Sequence, residues 1–226
     1  MTNPVGFTWA DSEVALPVVL VESSKSESHW AGPFGERYAR QFIFTPEELD
    51  AHWVKEWGIE RSRIVGAFCD KICHAGMDIL EVGCNVGNQL AMLQHLYWFS
   101  GDRLHGIDIN EWAVGEACRR GFSARVASMR SLPFEDKSFD LVFTCGVVSH
   151  IEPEHVSGVM REIGRVARKW VFGTEYSSPN YGDGFVWCRD HKRLFLEANP
   201  GWRLAKSAET PAGKLRLESY LLEREL

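Results

Sequence analysis

From Met77 to Glu175 strand-like runs take turns with helical ones, and this alternation limits the chain to very few folds. Residues 77–83, 103–109, 122–128, 139–146 and 169–175 read as strands. Residues 87–98, 110–121 and 153–168 carry apolar residues at helical spacing, the middle one opened by Asn110 and closed by Gly121. Strands separated by helices cannot pair as hairpins. They lie parallel, with right-handed crossovers that place helices on both faces of one sheet. The expected class is therefore α/β, a doubly wound and mostly parallel sheet.

The flanks depart from this rhythm. Residues 16–21 ("LPVVLV") suit a short strand, and 22–28 ("ESSKSES") read as a solvated or disordered linker. Thr45 with Glu48 forms a capping box around Pro46, so a helix should run from there to about Trp57, followed by a second over 61–74. Beyond a glycine-rich loop at 173–184, "CRDHKRLFLEA" reads as a short helix. Residues 202–209 and 215–223 then form two strands joined closely enough to be an antiparallel hairpin. We expect residues 1–60 to be an N-terminal extension and helical lid, and residues 61–226 to be the ligand-binding domain.

Composition narrows the partners. The 226 residues carry a formal net charge of −6, a poor balance for a protein that grips a nucleic-acid backbone. The six cysteines follow no disulfide framework, and Cys69 and Cys73 lack a second ligand pair at zinc-like spacing. No secretory leader pattern or bilayer-length apolar run is present, so a cytoplasmic, membrane-free location is expected.

The first strand ends in "DILEVGCNVGNQL" (78–90), and ligands of such sheets bind beyond the carboxyl ends of the strands. The series Glu81, Gly83, Asn85, Gly87 is not the glycine spacing of a dinucleotide loop, and no Gly-Lys-Ser/Thr ending marks a nucleotide-phosphate loop. No lysine or arginine stands near the turn, and Glu81 would repel a phosphate. An acid suits a cationic ligand, and S-adenosyl-L-methionine carries both a sulfonium and an ammonium. Asp108, with Ile109 beside it, tips the second strand, where a carboxylate can accept from both hydroxyls of a ribose. Asp108 has an alternative use as an acid at the start of the next helix.

Taken together, "ILEVGCNVGN", "LHGIDIN", "LPFEDKSFDLVFTCGVVSHI" and the closing hairpin resemble the class I S-adenosylmethionine-dependent methyltransferases. The resemblance implies a seven-stranded Rossmann-like methyltransferase fold and transfer of a methyl group to oxygen or nitrogen of a small-molecule acceptor. Two positions depart from the pattern: Asn85 stands where many members have glycine, and Ser128 where many have an acid. The adenine contact is then expected from Ser128 or Met129, and the Cys145–Gly146 backbone near the methionine part. Segments 30–42 and 173–195 further resemble methylases associated with pseudaminic acid biosynthesis and related sugar-modifying methyltransferases.

In such an enzyme His150 is the first candidate for general base, with capping or packing as its alternative. Glu175 and Tyr176 are expected beside the acceptor, although Glu175 also fits a solvated loop. Arg189, His191 and Arg193 are expected to receive an anionic acceptor, or else to sit exposed on a helix start. Trp30 and Tyr38 would turn aromatic faces toward the sulfonium. Two other readings share the sheet: a nicotinamide-dependent reductase and a non-catalytic cofactor-binding subunit.

Overall fold

The computed structural model describes residues 23–177, 184–212 and 215–225. The expected strand at 16–21 lies outside them. A seven-stranded sheet runs in the order β3-β2-β1-β4-β5-β7-β6. Its strands are β1 (Ile79–Val82), β2 (Leu104–Asp108), β3 (Ser123–Val126), β4 (Phe139–Cys145), β5 (Ala167–Tyr176), β6 (Trp202–Ala212) and β7 (Leu215–Arg224). The first five pair in parallel, with Ile79 opposite both Leu104 and Leu141. Strand β7 runs antiparallel to both β5 and β6, so the sheet is mostly parallel and ends in the expected hairpin.

Eight helices accompany the described strands: α1 (Lys25–Ala31), α2 (Pro33–Gln41), α3 (Pro46–Trp57), α4 (Arg61–Cys69), α5 (Asn88–Tyr97), α6 (Glu111–Arg119), α7 (Pro153–Val166) and α8 (His191–Ala198). Alternation along each strand divides the core. Ile79, Leu141, Phe143, Phe172 and Leu221 join residues of α3, α4 and α5 on one face. Leu80, Val142, Val171 and Leu222 join α7 and Phe195 on the other. Strand β1 is buried along its whole length, as a central parallel strand must be, yet it carries Glu81.

Two expectations need correction. Of the expected linker at 22–28, the described residues 23–28 are not one: Ser24 and Glu27 cap α1 reciprocally, and Ser26 and Glu27 are buried. Helix α4 stops at Cys69, five residues earlier than its apolar spacing suggested, before a turn over 70–76. The capping box at Thr45 and Glu48 does open α3, and Gly58 closes it in a left-handed conformation.

The order in the middle of the sheet fixes where a ligand can lie. Strands β2 and β4 flank β1 on opposite sides, so the crossovers leave β1 in opposite directions and open a crevice at its carboxyl end.

Candidate functional site

A cavity of about 160 Å³ fills that crevice. Its floor is Gly83, Asn85, Asp108 and Cys145 at the strand ends, and its roof is Glu27, Trp30 and Tyr38 from α1 and α2. Among the described residues no lysine or arginine lines it, whereas two carboxylates, Glu27 and Asp108, do.

The turn after β1 is satisfied from within. The amides of Gly83 and Cys84 both donate to the Ile107 carbonyl at 2.8 Å, and that of Gly87 to the Cys84 carbonyl at 2.8 Å. The Asn85 amide donates to Asp108 Oδ2 at 2.8 Å. Amides committed in this way cannot cradle a phosphate, which needs several of them pointing outward. The glycines answer to packing as well as to ligand access. Gly83 and Gly87 both have positive φ, and a Cβ would strike Val147 at 2.4 Å in the first case and Phe122 at 2.7 Å in the second. Gly87 is the N-cap of α5 and does not line the cavity. Asn85 has φ +48°, a left-handed conformation that asparagine tolerates better than most non-glycine residues, which accounts for its standing at a glycine-favouring position.

Asp108 receives the Asn85 amide on one oxygen and the Asn110 amide, at 2.9 Å, on the other. Each oxygen keeps capacity for a second donor, so the carboxylate can hold both ribose hydroxyls while bracing two turns. Burial raises its pKa, against the pull of these amides. Glu81 plays a different part from the one expected. It is buried beneath the turn, off the cavity lining, and burial pushes its carboxyl well above the usual range. Nor is the region free of cations. Arg61, fully buried, acts on Glu81 electrostatically and bonds Gln89 Oε1 at 2.6 Å and Thr174 Oγ1 at 2.9 Å. Arg120 bonds the Val86 carbonyl at 2.8 Å and the Phe44 carbonyl at 2.7 Å. Both arrive from distant segments, so no local motif announces them.

On the acceptor side, His150 lines the cavity in a single 3-10 turn (Val148–His150), and its ring meets Trp30 edge-on at 4.6 Å. Nδ1 lies 2.8 Å from the Phe185 carbonyl, which can only accept, so Nδ1 carries hydrogen and the neutral ring keeps its basic lone pair on Nε2. Cys145 lines the floor, and burial pushes its thiol up to about 11, so it is a neutral wall and not a thiolate. Trp30 packs edge-on against Tyr38 at 5.3 Å. Ile109 and Met129 line the cavity wall.

Besides Glu81 and Gly87, further expected site residues stand off the cavity lining. Glu175 is fully buried under the 147–149 turn, bonding the Ser149 hydroxyl at 3.0 Å and the Val147 and Ser149 amides at 3.3 Å. It shapes the loop that carries His150 and is no solvated acid. His191, the first residue of α8, is also fully buried, and burial lowers its pKa to about 4. Arg193 is exposed and pairs with Glu197 at 3.6 Å. Ser128 is off the lining: its hydroxyl accepts from the Arg130 amide and donates to Glu27. Arg189 reaches the rim, donating to the Ile151 carbonyl at 2.8 Å. Tyr176 ends β5 near Gly146, its ring 5.8 Å from Trp57. Sequence reasoning missed Glu27, although "SKSE" is a capping-box signature in plain view.

Comparison with known proteins agrees with this geometry. Residues 79–169, from β1 into β5, match the family model described as a methyltransferase domain. Over 101 residues the chain is 33% identical to sterol 24-C-methyltransferase ERG6B of Gibberella zeae, an alignment covering 41% of this chain and 25% of that protein. The chain spans between 25% and 31% of the length of the curated relatives it matches. Among solved structures, magnesium protoporphyrin IX methyltransferase of Synechocystis PCC 6803, with bound SAM, superposes with a TM-score of 0.66 at 15% identity, covering 91% of this chain and all of that one. The [4+2]-cyclase SpnF superposes at 0.59 and 15% identity over 73% of this chain and 80% of that one. These likenesses establish the fold, and the family match covers residues 79–169 alone. Those residues are similar to a methyltransferase domain, set within the sheet that the solved structures share.

Proposed function

We propose that the protein binds S-adenosylmethionine in the β1–β4 crevice and transfers its methyl group to a small molecule with an apolar or aromatic body. The observation that carries this reading is the cavity itself, edged by Asp108 and Glu27 and, among the described residues, lined by no lysine or arginine. A phosphate-bearing dinucleotide would meet two carboxylates and committed amides there, whereas a sulfonium ligand meets what it needs. The bound donor supplies an activated methyl group with its leaving group attached. The protein holds the nucleoside end through Asp108, offers the Trp30 and Tyr38 faces to positive charge, and excludes water beneath α1 and α2. His150 Nε2 takes the proton that a hydroxyl or protonated amine acceptor must lose.

Residues near His150 define the acceptor class. Val147, Ile151 and Trp30 present carbon surface, and the cations expected to receive an anionic acceptor are spent elsewhere or stand at the rim. A second reading, an anionic sugar, follows from the likeness of 30–42 and 173–195 to sugar-modifying methyltransferases. It is favoured by Arg189, whose Nη1 is buried without a partner among the described residues.

Calorimetry with S-adenosylhomocysteine tests the core of the proposal. Asp108→Asn should weaken binding by about tenfold or more, since a charged acceptor contributes roughly 1.5–3 kcal/mol. Undiminished affinity would remove Asp108 from the site, and no binding to the unaltered protein would refute the reading. Supplying candidate acceptors and looking by mass spectrometry for the gain of one methyl group then separates the two acceptor classes.

A further inference from the structure

Among the described residues, Glu27 is the one carboxylate of the roof that lines the cavity. It belongs to α1, a helix of seven residues, and stands 101 positions from Ser128, to which it is bonded. Its partners can be counted oxygen by oxygen. Oε2 accepts from the Ser24 amide at 2.9 Å and from Arg130 Nη1 at 2.9 Å, which fills its two lone-pair sites. Oε1 accepts from the Ser128 hydroxyl. That hydroxyl already accepts from the Arg130 amide at 3.1 Å, so its hydrogen is the part given to Glu27. Oε1 therefore retains one acceptor site, on a side chain only 7% exposed that borders the cavity.

The location of this acceptor gives it a purpose. Asp108, the ribose anchor of the proposed function, marks the nucleoside end of the cavity. Beyond it Ile109, Ala127 and Met129 form an apolar wall suited to the face of a planar base, and Glu27 is tied to the same end by its bond to Ser128, which lies between Ala127 and Met129. A carboxylate offers acceptors only, so the base edge that meets it must present a donor. The Ser24 amide and the Ser128 hydroxyl fix it in direction, with or without Arg130, so it cannot turn away from a mismatched edge. A hydrogen-bonding site of this kind discriminates by leaving the wrong partner unpaired.

We propose that Glu27, carried by the N-terminal helix, is the residue that selects a 6-amino purine over a 6-oxo purine in the cofactor. This rests on the cofactor reading above and deepens it: the lid is part of the nucleobase pocket, and Ser128 serves only to aim the lid's carboxylate. An adenine amino group donates to Oε1, whereas a hypoxanthine carbonyl oxygen faces it lone pair to lone pair.

The test compares S-adenosylhomocysteine with its deaminated analogue, S-inosylhomocysteine, by calorimetry. The unaltered protein should prefer the adenosyl ligand by at least about tenfold. Glu27→Gln keeps the capping box of α1, which accepts glutamine as well as glutamate, and adds an amide donor that a 6-oxo group can receive. The preference should then fall to within about threefold or reverse. Arg130→Gln is the control for the ion pair: it removes the cation but keeps the carboxylate, and should retain the preference. Thermal melts of each variant report whether the fold survives. An unchanged preference in Glu27→Gln overturns this proposal while leaving the cofactor reading intact. An equal collapse in Arg130→Gln overturns it as well, by showing that the latch and not the carboxylate discriminates. Failure of the unaltered protein to bind either ligand overturns this proposal together with the reading it rests on.

Discussion

His191 shows what an isolated residue type can and cannot disclose. In sequence it sits among five charged or titratable residues at 189–193 and invites a role in binding. In the fold its ring is fully buried, with no partner on either nitrogen among the described residues. Burial lowers its pKa to about 4, with the Arg189 charge adding to the effect. An unfolded imidazole takes its proton near pH 6.5. Between those two values the unfolded chain binds more protons than the folded one, so stability rises with pH across this window and holds its full value above it. At pH 5 the penalty is roughly 2 kcal/mol. His191→Leu should therefore match or exceed the unaltered protein at pH 7 and lose less stability at pH 5, as read from urea midpoints. Equal acid sensitivity in both would show that another group titrates. That Asp108 stands at a strand tip was legible, because the apolar strand it ends is readable on its own. Glu175 and His191 were not, because their burial depends on the 147–149 turn and on the second core cluster, which no local spacing encodes.

At the scale of elements, the helices with apolar periodicity were readable and the one without it was missed. Helix α7 is amphipathic, and its Val156, Val159, Met160 and Ile163 are all buried. Helix α1 docks by polar contacts instead. Glu152, the N-cap of α7, accepts the Ser26 amide at 2.8 Å and the Ser24 hydroxyl at 2.9 Å, while the Ser26 hydroxyl bonds the His150 carbonyl at 2.5 Å. A serine-rich stretch thus has the composition of a linker and the contacts of a lid. Burial works to raise the Glu152 pKa, but the Ser26 amide and the Ser24 hydroxyl outweigh it, and the net shift is downward. A depressed carboxyl lends its stability above the ordinary carboxylate range and loses it as pH falls through the folded value. Acidification should therefore free α1, and Glu152→Ala should do so at neutral pH. The expected readout is lost hydrogen-exchange protection over 24–31, with the global unfolding midpoint lowered by no more than about 1–3 kcal/mol equivalent. Full protection of α1 in Glu152→Ala would show that the remaining contacts, Glu27 with Arg130 and Ser128, the Ser26 hydroxyl with the His150 carbonyl and Asn110 with the Trp30 carbonyl, suffice to hold the lid.

For the whole molecule, the parallel pairing of the first five strands was foreshadowed by alternation, but the seam that joins them to the hairpin was not. Strand β5 pairs in parallel with β4 on one edge and antiparallel with β7 on the other, so it is where the doubly wound half meets the hairpin. Gly173 lies in that seam opposite Tyr220. A Cβ on Gly173 would come within 2.2 Å of the Tyr220 ring, a side chain buried to 2% exposure. Nothing in "VFGTEY" explains this glycine, which the sequence reading placed where the fifth strand (169–175) overlaps a glycine-rich loop (173–184), because the reason for it lies 47 positions away. Gly173→Ala should force Tyr220 off its place and cost about 1–3 kcal/mol by overpacking. Tyr220→Ala alone should cost about 3–5 kcal/mol through the cavity it leaves. Once that space is empty the added methyl meets no ring, so the double variant should be no less stable than Tyr220→Ala alone. Simple additivity in the denaturation cycle would refute the contact as the cause. Because β5 also carries Glu175, which braces the 147–149 turn ahead of His150, Gly173→Ala should weaken cofactor binding as well, although Gly173 does not line the cavity.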